Sequence, residues 1–118
     1  MKYVLLIYSN EAQMMAMTPE QQGAQMSAYL EYTQRVHQSG KFSAGEALMP
    51  TMTATTVRVA NGKTTTTDGP FAETKEQLAG FYILNCKDLN EATEWAAQIS
   101  AIDGSSIEVR PVMEIPAS

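Results

Sequence analysis

The stretch Tyr3-Val4-Leu5-Leu6-Ile7-Tyr8 offers nothing charged or strongly polar to solvent. In an extended chain successive side chains point to opposite faces. Tyr3, Leu5 and Ile7 therefore project one way, and Val4, Leu6 and Tyr8 the other. Such a strand belongs in the middle of a sheet that is covered on both sides. Residues 80–86 repeat the pattern, with Phe81 and Ile83 against Tyr82 and Leu84. Any fold for this chain must bury both faces of its central strands.

The elements between and around these strands are punctuated clearly. Residues 9–17 read as a loop carrying Met14, Met15 and Met17. Thr18 is an N-cap, Pro19 occupies the first helical position and Gln21 completes a capping box. Met26, Tyr29, Leu30, Thr33 and Val36 then recur at helical spacing as one buried stripe, and Gly40 stops the helix. Residues 54–60 and 63–67 are β-branched and flank Asn61-Gly62, the signal of a type I′ hairpin. Asp68-Gly69-Pro70-Phe71 breaks the strand, and residues 73–78 read as one helical turn. Asp88 and Glu91 predict a second capping box, opening a helix striped with Leu89, Ala92, Trp95, Ala96 and Ile99. Asp103-Gly104 turns the chain into a last strand at 107–113, which Pro111 assigns to a sheet edge.

With one hairpin strand set aside, the order is βαββαβ. That predicts an α+β fold: a ferredoxin-like antiparallel sheet with two helices on one face, in a single domain over residues 1–118. Both helices then lie on one face, which leaves the other bare. Exposing Val4, Leu6, Tyr82 and Leu84 together would make a large apolar patch. Burying each stabilises by roughly 1.5–3 kcal/mol. The simplest cover is the bare sheet of a second copy, so the expected assembly is a homodimer closed as a dimeric α+β barrel.

Charge and cysteine usage narrow the partners. Net charge is −5, and the eight basic residues are scattered singly rather than gathered into the footprint that nucleic acid requires. An acidic chain gains nothing from anionic lipid. No stretch approaches the roughly 20 apolar residues of a membrane span, and the apolar start reads as a strand rather than a signal peptide. Cys86 is the one cysteine, compatible with a reducing compartment and a cytoplasmic location. Structural zinc wants four Cys or His ligands, and the chain holds one of each. No metal centre is expected, although Glu46, Asp68 and Glu73 are left as carboxylates that could meet magnesium or calcium. No phosphate-binding loop, dinucleotide fingerprint or nucleophile elbow occurs, so no organic cofactor is expected.

Candidate chemistry concentrates in Asp68-Gly69-Pro70-Phe71-Ala72-Glu73-Thr74-Lys75-Glu76. A rigid Gly-Pro turn can hold Asp68 and Glu73 well enough for acid–base work, which makes them the candidate catalytic residues. The same residues are equally explained by turn-making: Asp68 bonding to its own turn, with Glu73 and Glu76 at a helix start. His37 sits near a helix C-terminus, where the dipole favours a cation. Cys86 ends a core strand and reads as a buried structural thiol. Arg58 and Arg110 lie in strands and could clamp an anionic group or pair with a neighbouring Glu. The Met14 to Met17 loop could line a small-molecule mouth or fold over the core.

The run from Asp68 to Glu76, with Gly80-Phe81-Tyr82 after it, resembles the DGPF signature of the YCII-related family. Lys2-Tyr3-Val4-Leu5-Leu6, Ser43-Ala44-Gly45-Glu46-Ala47-Leu48 and Glu108-Val109-Arg110-Pro111-Val112 are similar to that family's pattern as well. The resemblance implies a ferredoxin-like subunit of a dimeric α+β barrel, agreeing with the burial argument, and a link to extracytoplasmic-function sigma factors. In the YciI-type branch a helix His and an Asp after the first strand form a proposed catalytic pair. Tyr29 and Ser9-Asn10 stand there in this chain, so that acid–base role does not transfer. Glu46, Asp68, Glu73, Lys75 and Arg110 are the expected ligand-binding positions. The reading is a small-molecule-binding or regulatory module tied to sigma-factor pathways. Its alternative is a cofactor-independent enzyme using Asp68 or Glu73 for proton transfer in the barrel cleft.

Overall fold

A computed structural model describes residues 1–116. The elements run β1 (Lys2–Ser9), α1 (Glu11–Met15), α2 (Pro19–Gln38), β2 (Phe42–Ala47), a 3₁₀ turn (Thr51–Thr53), β3 (Thr55–Ala60), β4 (Lys63–Asp68), β5 (Gln77–Asn85), α3 (Leu89–Asp103) and β6 (Ser106–Pro111). Four strands form one antiparallel sheet in the order β2-β5-β1-β6. This is the ferredoxin-like strand order, and the chain is an α+β fold. The two strands with two apolar faces, β1 and β5, take the two central places. Pro111 ends the edge strand β6, where its missing N–H costs no ladder bond.

One face of the sheet meets the helices. Tyr3, Leu5 and Ile7 of β1, with Leu84 and then Cys86 from the β5 end, pack against Tyr32 and Val36 of α2 and Ala92, Ala96 and Ile99 of α3. Tyr32 is fully buried at the centre. Its ring meets Tyr82 and Trp95 edge-on, and its hydroxyl donates to the Trp95 carbonyl at 3.1 Å. The α2 start is the expected capping box: Thr18 Oγ1 accepts from the Gln21 N–H, and Gln21 Oε1 accepts from the Thr18 N–H. At α3, Asp88 caps through the Glu91 N–H. The Glu91 carboxylate reaches the Lys87 N–H instead of the cap residue, and pairs with Lys41 Nζ at 2.9 Å.

The structure departs from the sequence reading at several further places. The fourth sheet strand is β2, not a strand of the hairpin. Ser43-Ala44-Gly45 has no β-branched residue to mark it, and it pairs because Tyr82 packs over Gly45, where a Cβ would lie 2.8 Å from the ring. The β3–β4 hairpin forms a separate two-stranded sheet with the expected Asn61-Gly62 turn, both residues at positive φ. Residues 11–15 are helical, capped by Asn10 Oδ1 on the Gln13 N–H. Residues 73–78 make no helix; Gln77 already opens β5. The face of β5 is also reversed. Val4 pairs with Ile83, Leu6 with Phe81 and Tyr8 with Leu78, so these six half-buried residues form the open face while Tyr82 and Leu84 join the helices. Both faces of β5 are apolar, so alternation alone could not choose between them.

The molecule is flat and spread, 48 × 47 × 19 Å. Its radius of gyration of 16.5 Å exceeds the roughly 13–14 Å of a compact chain this long. The hairpin accounts for part of this: every residue of β4 is exposed, as are Val57 and Val59 of β3.

Candidate functional site

A cleft of about 510 Å³ opens between α2 and the helix-side end of β1, β2 and β5. Its existence follows from residue size. Gly45, Ala47, Ala79 and Gly80 line it on the strands and leave room that larger side chains would fill. Across from them stand Met26 and Leu30 of α2, and Met14 and Met17 roof one end. The α2 stripe expected to be buried is therefore divided. Val36 reaches the core, joined by Tyr32, whereas Met26 and Leu30 stay 62% and 58% exposed over an unfilled space.

The polar end of the cleft is assembled from three elements. Gln25 and Tyr29 lie one helical turn apart on α2. Asp103 is the last residue of α3. The Tyr29 hydroxyl and Gln25 Nε2 both donate to Asp103 Oδ2 at 2.8 Å. Gly104, at φ +76°, turns the chain in the left-handed conformation that suits glycine, and the Ser105 N–H then donates to Asp103 Oδ1 at 3.0 Å. Nearby, Thr33 Oγ1 and the Tyr82 hydroxyl are 2.8 Å apart. Burial, reinforced by the hydrogen bond to and the charge of Asp103, pushes the Tyr29 phenol well above its ordinary value. Tyr29 thus keeps its proton and serves as a fixed hydrogen-bond donor. A second cleft of about 340 Å³, lined by Asn10, Gln13, Glu76 and Ser105 among others, meets the first at Ser9, Met14, Met17, Gln25 and Asp103.

Of the site residues expected from sequence, Glu46 lines the larger cleft. Asp68, Glu73, Lys75 and Arg110 are exposed and line neither cleft. Arg110 stands on the open sheet face opposite Val4. The turn after Asp68 is held by its backbone and by threonine. The Gly69 N–H donates to the Ala54 carbonyl at 2.7 Å with Gly69 at φ +101°, and Thr56 Oγ1 donates to the Gly69 carbonyl at 2.9 Å. Further on, Gln77 Nε2 donates to the Thr74 carbonyl, and Gln77 Oε1 accepts the Glu11 N–H. His37 packs edge-on against Phe42. Among the described residues no three His, Cys, Asp or Glu side chains gather as metal ligands. Sequence reasoning did not single out Gln25, Asp103 and Ser105. Asp103 read only as half of an Asp-Gly turn, and nothing local announces a partner 74 residues away.

The sequence profile of the YCII-related domain matches residues 1–116. The chain belongs to the YCII-related family. This YCII-related protein is also 39% identical over 114 residues to an uncharacterised protein of Rhizobium meliloti (strain 1021), covering 95% of this chain and 92% of that one. Its function is thereby left to its geometry. Ser9 and Tyr29 line the larger cleft, and Asn10 lines the smaller one.

Proposed function

We propose that this YCII-related protein binds a small, largely apolar molecule in the larger cleft, oriented by the Tyr29–Asp103–Gln25 cluster. The observation that carries the reading is the pairing of an apolar, glycine-floored space with one fixed polar end. Ligand pockets have this composition: mostly apolar walls and a few convergent polar groups. The working assembly in this proposal is a homodimer that covers Val4, Leu6, Tyr8, Leu78, Phe81 and Ile83 with the same face of a second copy. That face is apolar in both central strands, and among the described residues none of these six belongs to the core packed against the helices. A cytoplasmic location is part of the proposal, in keeping with a lone buried Cys86 and with the absence, among the described residues, of a helix long and apolar enough to cross a membrane. A regulatory role beside a sigma factor rests on the family resemblance alone, and co-purification with a cognate sigma factor tests it.

A metabolite library screened by thermal shift tests the binding reading. Ligands should raise the melting temperature of the wild type by mass action and leave Leu30→Trp, which fills the space from an exposed position, unshifted. Equal shifts in both proteins would refute it, as would a library without any stabilising compound. Asp68→Asn should respond as the wild type does; loss of response in that variant would move the site to the DGPF turn and favour the enzyme reading. Sedimentation at micromolar concentration should give a dimer, and a monomer would remove that part of the proposal.

A further inference from the structure

We propose that the ligand class of this site is a protonated amine carrying an apolar body, its ammonium group held by Asp103 where the two clefts meet. The inference rests on the cleft being a binding site and goes on to say what charge it accepts.

Two observations support it. Among the described residues the charged ones lining the two clefts are Glu46, Glu76 and Asp103, and no Lys, Arg or His lines either one. An anionic ligand would bring a further negative charge against apolar walls without any compensating cation, an arrangement that desolvation penalises. Asp103 is also held rather than neutralised. Its three partners, the Tyr29 hydroxyl, Gln25 Nε2 and the Ser105 N–H, are all uncharged donors. A carboxylate offers about four acceptor sites, so three neutral donors orient it and leave both its charge and one site free for a cation. Glu76, held on both carboxylate oxygens by Ser106 Oγ at 3.0 Å, adds negative charge on the same side. The apolar body would lie in the larger cleft along Met26, Leu30 and Phe42.

Three probes of nearly equal size separate charge from shape: 2-phenylethylamine, protonated at neutral pH, 2-phenylethanol and 3-phenylpropionate. Each is titrated into the intact protein and followed by amide chemical shifts. The ammonium should bind at least about tenfold more tightly than the alcohol, the step expected between charge-assisted and neutral hydrogen bonding, and the carboxylate most weakly. In Asp103→Asn the ammonium should fall to the level of the alcohol. Because that change also touches Tyr29 and Ser105, two further readouts accompany it: Glu76→Gln should weaken the ammonium alone, and added salt should weaken the ammonium in the wild type while sparing the alcohol. Equal affinity for ammonium and alcohol would overturn the charge assignment and leave the binding reading standing. Preference for the carboxylate would do the same. Failure of all three probes to shift cleft resonances would overturn both.

Discussion

Alanine placed at Gly80 should destabilise the protein, and alanine placed at Gly23 should stabilise it. Gly80 lies in β5 facing the helices, buried opposite Ile7. A Cβ there would sit 2.8 Å from the Glu46 carbonyl oxygen and 3.3 Å from Ala47 Cα, against an ordinary contact limit near 3.4 Å. Both obstacles are backbone, so no side chain can rotate away. Strand β2 must move by about half an ångström while still bonded to β5 through its ladder and the Leu48 N–H to Ala79 carbonyl bond. Overpacking of this kind costs about 1–3 kcal/mol. Relief of glycine's unfolded-state entropy returns about 0.5–1 kcal/mol. The net loss is up to about 2.5 kcal/mol, or up to roughly 10 °C in melting temperature for a chain of this size. Gly23 lies inside α2 with nothing within 4 Å of its would-be Cβ, so only the helix-propensity gain of about 0.5–1 kcal/mol applies. Thermal denaturation of both variants at one protein concentration checks the pair. A Gly80→Ala protein more stable than the wild type would show that β2 is not held against β5 as described, and the floor of the cleft would have to be redrawn.

Leu84→Ala removes a fully buried side chain from the centre of the core and should lower stability by about 2–5 kcal/mol, seen as a lower urea midpoint with an unchanged slope. Lys41 and Glu91 supply a pH dependence. The Lys41 ammonium, with help from the Lys87 N–H, holds the Glu91 carboxyl below its ordinary value, and Glu91 in turn raises Lys41. A lowered carboxyl pKa stabilises above the ordinary carboxylate range, and the benefit fades as pH falls through the depressed folded value. A raised ammonium pKa stabilises below the ordinary lysine range, and that benefit fades as pH rises through the raised one. Glu91→Gln should therefore flatten the acid limb of the stability profile below the ordinary carboxylate range; an unchanged limb would rule the pair out as its source. Burial, followed by the charge of Glu91, raises the Cys86 thiol, so it should react with an aromatic disulfide reagent only at the rate of unfolding, and rapid labelling of the native protein would contradict its burial.

Thr18, Pro19 and Gln21 announce the start of α2 from four residues of sequence, Asn61-Gly62 announces the hairpin, and the doubly apolar runs of β1 and β5 announce the centre of the sheet. These signals are local: caps, turns and alternation act between residues at most a few positions apart, so they can be read from the chain directly. The DGPF stretch belongs with them, because a Gly-Pro turn is read from adjacent residues. The rest depended on contacts that no local rule encodes. Register alone turned Phe81 and Ile83, rather than Tyr82 and Leu84, to the open face. Strand β2 has almost no intrinsic signal and exists because Gly45 and Gly80 let two backbones and a tyrosine ring approach closely. The polar cluster joins Gln25 and Tyr29 to Asp103 from the far end of the chain, at a residue that looked like part of a turn. The sequence by itself determined the element types, the central strands and the family; tertiary packing decided which faces meet and where a cleft is left open, since those depend on long-range fit between side chains of particular sizes.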